Sequence, residues 1–288
     1  MYPYLIRFGG ITVVSYSFFY GLGMAVAGLL FAAILHHRGV SLRKSAILFM
    51  VCGGSIIVGG RLMYAVVYWD SVRKELWEFA NLKSGGQILY GSLLVGMAAM
   101  FILLRILRLS GKEVADAAAV VIPLGLAIGR IGCFCRGCCH GSVTGLPWGI
   151  TFPKVIDVNG QIIGSHAYLM HLENHLISMI APRSLPVHPV ELYESLTMLA
   201  LFVILLTFWQ SRIFAGRLAA LFLLAYCVTR FVLEFVRVEP QVLAGLTIYQ
   251  ILSIAIAVCT AAWLALALRK HESTTLPVAE ARRKHTSR

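Results

Sequence analysis

The chain has 288 residues, of which 59% are hydrophobic and only 13% are charged, and its mean hydropathy is +0.80. This composition excludes an ordinary soluble domain and indicates an integral membrane protein. The formal net charge of +12 does not indicate a nucleic-acid partner, because no basic and aromatic face recurs on a soluble domain.

Apolar stretches long enough to cross a hydrocarbon core, which takes roughly 20 helical residues, recur along the chain. Helices are expected rather than strands, because backbone groups in lipid must be satisfied within the spanning segment. We therefore predict an all-α integral membrane protein with seven transmembrane helices. They are placed at about residues 12–35, 45–69, 88–108, 115–133, 192–211, 216–236 and 246–268.

The predicted membrane domain covers residues 1–268 and includes an external head insertion, residues 134–191, between the fourth and fifth helices. A connection of this length is either functional or loosely ordered, and a short helix is predicted in it from His166 to Ile180. Residues 269–288 form a basic tail that would lie against anionic membrane lipids. Lys and Arg are more frequent on the side of this tail, which predicts a cytoplasmic C-terminus and an N-terminus outside.

Three arginines lie in or at the ends of predicted helices: Arg61, Arg130 and Arg230. A charged side chain is costly at this depth and usually faces the protein interior. Two interpretations remain open. The arginines could pair with acids such as Glu194 and Glu234 to fix helix packing, or their planar forks could bind the phosphate of a phospholipid headgroup.

The sixth predicted helix carries one polar stripe. Its members are spaced four, four and three residues apart, which places them on one helical face; they are Tyr226, Arg230, Glu234 and Arg237. That face is expected to point inward, since an ionic stripe turned to lipid would be very costly.

A cysteine-rich turn, Cys133–Cys139, follows the fourth predicted helix and precedes His140. Its Cys135 and Cys138 have a spacing that favours a disulfide in an oxidising compartment. Packing thiols and a metal or redox site remain alternatives. Because a second ligand pair is missing, the sequence assigns no metal site and no cofactor.

Several short motifs occur in order along nearly the whole chain. They are Ser15-Tyr16-Ser17, Gly59-Gly60-Arg61, Tyr90-Gly91-Ser92-Leu93, the stretch Gly129 to Gly141, His188 to Glu194, Arg230 to Arg237, and Gly245-Leu246-Thr247 with Gln250. This set resembles the prolipoprotein diacylglyceryl transferases of bacterial cytoplasmic membranes. The resemblance implies an enzyme that moves the diacylglyceryl group of phosphatidylglycerol to the lipobox cysteine in a prolipoprotein signal peptide. A thioether forms and glycerol phosphate leaves.

The resemblance also implies roles for individual residues. Arg130 and Arg230 would hold the donor phosphate, and Tyr16, Glu234 and Gly141 would shape the pocket. The remaining candidates for substrate binding are Arg61, Glu194 and Tyr226.

The chain departs from the family pattern at several positions. Cys133, Arg136 and Cys138 stand where the family signature has two asparagines and a glutamate. Tyr90 stands where the family has a histidine proposed as the base, and an unperturbed tyrosine with a pKa of about 10 is a poor base near neutral pH. We therefore expect Tyr90 to position a substrate and treat His140 as the candidate to replace the base.

These departures leave two alternatives to the family reaction. The first is a related transferase that uses the same phospholipid donor with a different acceptor. The second is a non-enzymatic or redox membrane protein built on the cysteine-rich turn.

Overall fold

The computed structural model describes residues 4–8, 11–69, 73, 88–156, 162, 165–211 and 216–286. Most of these residues are helical. The helices are α1 (Ser15–His36), α2 (Leu42–Val67), α3 (Leu89–Leu107), α4 (Gly111–Arg136), α5 (His166–Glu173), α6 (Val190–Ser211), α7 (Leu218–Leu233) with a 3₁₀ turn (Glu234–Val236), and α8 (Ile248–Thr286). Two antiparallel pairs of short strands complete the described elements: β1 (Tyr4–Phe8) with β2 (Ile11–Val14), and β3 (Gln241–Leu243) with β4 (Leu246–Thr247).

The predicted all-α membrane architecture is confirmed. Seven helices of the described chain are long and apolar enough to cross a membrane. These are α1, α2, α3, α4, α6, α7 with its 3₁₀ turn, and α8 as far as Ala267. Backbone hydrogen bonds within each helix remove the need for partners in lipid.

Several helix boundaries differ from the sequence-based prediction. Helix α1 begins at Ser15 rather than at residue 12, because Ile11–Val14 forms β2. Helix α4 ends at Arg136 rather than at residue 133, so Cys133 and Cys135 lie in its last turn. Helix α4 begins at Gly111, several residues before the predicted start. Helix α5 ends at Glu173, because His175 has a φ of 56°, and a left-handed residue closes a helix. The backbone of α8 continues through most of the predicted basic tail.

The chain forms two compact units, Met1–Ala27 with Ala119–Arg288, and Gly28–Ala118. In the second unit α2 packs against α3 where the backbones of Gly59 and Gly91 meet, and a Cβ on either glycine would overlap the facing carbonyl. Small residues allow this close approach between helices in lipid.

In the first unit, α4 is held by the N-terminal half of α1 and by α6. A Cβ on Gly23 would lie 2.6 Å from the carbonyl oxygen of Gly125, so these backbones also touch. On α6, the hydroxyl of Ser195 donates to the carbonyl oxygen of Ala127 at 2.8 Å. These contacts fix the C-terminal half of α4.

The segment between α4 and α6 has a small apolar core of its own. Phe152, Ala167 and Val187 are buried in it, and Phe134 and Ile150 pack against them. Because Phe134 belongs to α4, this core ties the cysteine-rich turn to the end of that helix.

Candidate active site

A buried cluster of arginines and glutamates joins the ends of α4, α6 and α7. Arg130 Nη2 lies 2.6 Å from Glu194 Oε1, and Arg237 Nη1 lies 3.6 Å from the other oxygen of Glu194. Arg230 lies 3.1 Å from Glu234, which Arg237 also approaches, at 3.8 Å. The two carboxylates are at most 3% exposed. Arg237 therefore links two ion pairs into one network, which we call the arginine–glutamate cluster.

The position of Arg237 follows from a change of helix type. The α-helix gives way to a 3₁₀ turn at Glu234, and side chains three residues apart are aligned in a 3₁₀-helix. Arg237 then leaves the helix with an extended backbone. The polar stripe that starts at Tyr226 therefore ends with Glu234 between two arginines, Arg230 and Arg237.

Glu234 is held from a second direction by β4 and the first turn of α8. Thr247 Oγ1 donates to Glu234 Oε1 at 3.0 Å, and Gln250 Oε1 accepts from the backbone N–H of Thr247. The guanidinium of Arg230 also lies 4.6 Å from the centre of the Tyr249 ring, a favourable cation–π distance. These contacts explain the motif from Thr247 to Gln250.

The cluster has polar atoms that its ion pairs do not satisfy. Within the described chain, the buried Arg130 Nε and Arg237 Nη1 donate no hydrogen bond. Unsatisfied buried donors are costly and rare in native structures. Both guanidiniums belong to one cluster with that of Arg230, and three arginines against two glutamates leave an excess of one positive charge, which suits a small anion.

Of the two tyrosines predicted to contact substrate, Tyr226 lies beside the cluster and Tyr16 lies near the thiols of the cysteine-rich turn. The phenol of Tyr226, one turn before Arg230, interacts electrostatically with Glu194 and all three cluster arginines. Tyr16 lies on α1, where its ring stacks on Tyr20 and the guanidinium of Arg136 lies 5.5 Å from the ring centre.

Gly141 brings the segment after the cysteine-rich turn against the end of the 3₁₀ turn. It forms an antiparallel bridge with Arg237, and its N–H donates to the carbonyl oxygen of His188 at 2.9 Å. A Cβ at Gly141 would lie 2.5 Å from the carbonyl oxygen of Val236. Glycine is therefore required for this close approach, which sets the position of Arg237.

His140 is buried beside Gly141. Its Nδ1 lies 2.9 Å from the Gly141 carbonyl oxygen, so this nitrogen carries the proton and donates it. Burial lowers the pKa of His140, which favours a neutral ring with an acceptor at Nε2. Its ring also faces those of His166 and His171, at centroid distances of 5.6 and 6.2 Å.

The cysteines of the turn are not paired as their spacing predicts. All seven cysteines lie within the described residues and are free thiols, so the Cys135–Cys138 disulfide is absent. The sulfur atoms that lie together belong to Cys133, Cys138 and Cys139, all within 4.8 Å of one another.

Hydrogen bonds shape the chemistry of these thiols. Hydrogen bonding with Cys133 and Cys138 lowers the pKa of Cys139, and the charges of Arg130 and Arg237 act in the same direction. Hydrogen bonding with the same neighbours raises the pKa of Cys138. Among the three thiols, that of Cys139 therefore ionises most readily.

Two of the predicted site residues belong to the second unit. Arg61 is buried on α2, with its guanidinium 5.5 Å from the centre of the Tyr64 ring. Tyr90 is in the first turn of α3 and is 66% exposed. The contact between Gly59 and Gly91 brings the segments that carry both residues together.

The structure adds two acidic or basic residues to the set chosen from sequence. Arg237 belongs to the polar stripe that helical spacing predicts, and the sequence alone does not assign it to the site. Glu191 lies in the first turn of α6 and is 1% exposed. Neither of its carboxylate oxygens accepts a hydrogen bond within the described residues.

Comparison with known proteins identifies a family for the chain. The family model for prolipoprotein diacylglyceryl transferase matches residues 3–266. The chain belongs to this family. A similar protein is phosphatidylglycerol–prolipoprotein diacylglyceryl transferase of Bordetella parapertussis, which is 30% identical over 269 residues, 88% of this chain and 90% of that protein. Another is phosphatidylglycerol–prolipoprotein diacylglyceryl transferase 2 of Clostridium perfringens, 27% identical over 240 residues, with 82% and 84% coverage.

Proposed function

We propose that this protein transfers the diacylglyceryl group of phosphatidylglycerol to the lipobox cysteine of prolipoproteins. The products are a thioether-linked lipid and glycerol phosphate. The family match supports the reaction class, and the names of the relatives support this donor and acceptor. The observation that carries the proposal is the buried arginine–glutamate cluster, which offers unsatisfied guanidinium donors at the ends of membrane-spanning helices.

The cluster would act on the donor phosphate. The phosphodiester of phosphatidylglycerol carries one negative charge, and a second develops on the leaving oxygen as the carbon–oxygen bond breaks. Arg130 and Arg230 would hold that phosphate, with Arg237 beside them. Donors fixed in advance at the place where charge develops lower the barrier, because they need no reorganisation during the reaction.

The glutamates would keep the guanidiniums in place before the donor binds. Glu194 and Glu234 each contact two arginines, which orients the forks, while Arg130 Nε and Arg237 Nη1 donate no hydrogen bond within the described residues. Tyr16, Tyr226 and Arg61 are proposed to contact the lipid donor, and Gly141 to set the pocket wall.

On the acceptor side the nucleophile would be a thiol. A thiol with an ordinary pKa of about 8.5 is partly ionised near neutral pH, so a strong base is not essential. Tyr90 would position a substrate through its hydroxyl. His140 would accept the proton at Nε2, because its Nδ1 donates a hydrogen bond to the Gly141 carbonyl oxygen.

The alternatives raised by the sequence are less well supported. A non-enzymatic or redox protein does not explain the family match over residues 3–266, and no observation favours a different acceptor.

We further propose that the protein lies in a bacterial cytoplasmic membrane with its N-terminus outside. The external head insertion, residues 134–191, would then lie outside with the site, and residues 269–288 would lie against the cytoplasmic leaflet. A fluorescent protein fused to the C-terminus should fluoresce in cells, and alkaline phosphatase at the same position should be inactive. The reverse pattern would contradict this orientation.

The reaction can be tested in cells and with purified protein. Expression should restore growth and thioether lipidation of a reporter lipoprotein in a bacterium depleted of its own transferase. Purified protein in phosphatidylglycerol liposomes should add a diacylglyceryl group to a lipobox peptide, detected by mass spectrometry, and should not modify the Cys→Ser peptide. Release of glycerol phosphate without peptide modification would reject this function in favour of another acceptor.

A further inference from the structure

Three cysteines from two adjacent elements form a compact sulfur cluster. Cys133 lies in the last turn of α4, and Cys138 and Cys139 follow the helix; their sulfur atoms are all within 4.8 Å of one another. A tetrahedral zinc ion with Zn–S bonds of about 2.3 Å holds its sulfur ligands about 3.8 Å apart. The observed spacing therefore needs only small side-chain rotations to close on one ion.

The backbone is folded to bring these sulfurs together. The N–H groups of Gly137 and Cys138 both donate to the carbonyl oxygen of Cys133, which turns the chain back on the helix end. Cys139 then adopts a φ of 66°. A left-handed backbone at a residue other than glycine is uncommon, and such conformations often occur at functional sites.

The sulfur cluster contacts the arginine–glutamate cluster and lines an open cavity. Arg130 Nη1 donates to Cys133 Sγ at 3.9 Å, while Nη2 of the same guanidinium holds Glu194. Cys138 and Cys139 also line a cavity of about 240 Å³. Its lining includes Cys138, Cys139, His140, His166, Met170 and Arg237. A group entering this cavity could reach the sulfur cluster beside the arginine that is proposed to hold the donor phosphate.

We propose that Cys133, Cys138 and Cys139 bind a Zn²⁺ ion whose fourth position takes the thiol of the acceptor cysteine. This inference rests on the proposed transfer reaction and deepens it. Structural zinc sites use four protein ligands, whereas catalytic sites use three and keep one position open. Zinc deprotonates a thiol that coordinates it, so the ion supplies a thiolate without a protein base in contact with the sulfur.

The step balances without any change in oxidation state. With the ion in place His140 is not needed as a base: the acceptor thiol loses its proton to solvent as its sulfur binds zinc. A sulfur lone pair then forms the C–S bond to the glyceryl carbon, and the C–O bond to phosphate breaks with its electron pair on the phosphate oxygen. Arg130 stabilises that charge, and glycerol phosphate leaves. The neutral thioether is a weaker ligand than a thiolate and dissociates from the ion.

Metal content is the first test. The full-length protein, reconstituted with phosphatidylglycerol, incubated with Zn²⁺ and freed of excess ion, should retain about one zinc per chain in elemental analysis. Cys133→Ser, Cys138→Ser and Cys139→Ser should each reduce this retention at least tenfold. Cys135→Ser is the matched control, since Cys135 lies in the same turn but outside the sulfur cluster, and it should retain zinc.

Cobalt provides a test of the open position in the unsubstituted protein. Co²⁺ in the site should give sulfur-to-cobalt charge-transfer absorption, and a lipobox peptide should raise it by about one third as three thiolates become four. The Cys→Ser peptide should leave it unchanged. This measurement does not depend on whether the serine variants fold.

The outcomes separate this inference from the proposed function. A protein that retains no zinc, that has a disulfide among the three cysteines, or that modifies the peptide equally well when metal-free would overturn the zinc proposal and leave the transferase proposal standing. An absorption spectrum that does not respond to the lipobox peptide would also overturn it. Coordination of the peptide thiol with no transfer under any condition would instead contradict the proposed function.

Discussion

Removing Arg130 gives the sharpest test of the arginine–glutamate cluster. In the structure Arg130 Nη2 lies 2.6 Å from Glu194 Oε1, and Glu194 is 3% exposed. After Arg130→Ala the nearest cation recorded for that carboxylate is Arg237, at 3.6 Å. Two separate losses are expected. Breaking a buried ion pair costs about 3–5 kcal/mol of folding stability, and losing a preorganised donor costs about 3–4 kcal/mol of transition-state stabilisation, or roughly 10²–10³ in rate.

The two losses can be separated with a second substitution. Glu194→Gln removes the carboxylate that Arg130 neutralises, so the double variant Arg130→Ala/Glu194→Gln should recover much of the thermal stability. Its rate should stay low, because glutamine does not bind the donor phosphate. Arg130→Lys should recover only a small part of the rate, since lysine keeps the charge but lacks the planar fork.

The assay is the initial rate of lipobox-peptide modification at several phosphatidylglycerol concentrations, with thermal unfolding measured on the same preparations. Arg105→Ala is a matched control, because this exposed arginine of α3 lies over the Phe101 ring and is not assigned to the site; its rate should match that of the unsubstituted protein. If the double variant regains the full rate, Arg130 serves only to neutralise Glu194. The phosphate-binding role would then be refuted.

Three further predictions concern the pocket wall, the position of the missing base and the insertion. Gly141→Ala should destabilise the protein by about 1–3 kcal/mol through overpacking against Val236 and should reduce transfer. Gly145→Ala is the control, because its added Cβ has no atom within 4 Å. It should change neither the stability nor the transfer rate in the same assays. Tyr90→Phe should reduce the transfer rate by less than about tenfold and Tyr90→His should be tolerated; a loss of roughly 10²–10⁴ would instead show that Tyr90 acts as a base. Burial lowers the pKa of His171, so the folded state resists protonation and loses stability as the pH falls below the unfolded value of about 6.5. His171→Asn keeps an acceptor for the Leu185 N–H without titrating. It should reduce the fall in melting temperature between neutral and mildly acidic pH, leaving the part due to buried His140; an unchanged slope would contradict this assignment.

The sequence by itself determined the membrane architecture. Hydropathy over a window of about 20 residues reports whether a helix can cross a bilayer, and this is a local property of the chain. It also identified Arg130 and Arg230 as unusual, because a guanidinium in an apolar segment is costly wherever the segment packs. The polar stripe beginning at Tyr226 followed from helical period alone.

The tertiary structure decided which of these groups meet. Arg130 and Glu194 are 64 residues apart, and their contact depends on how α4 and α6 pack, which no local pattern contains. Arg237 entered the site because the helix tightens at Glu234, and Cys133 joined Cys138 because the chain reverses after α4. Such contacts arise from packing and from a few backbone angles rather than from composition or helical period. Sequence spacing therefore favours Cys135 as the partner of Cys138, whereas in the folded chain the partner is Cys133.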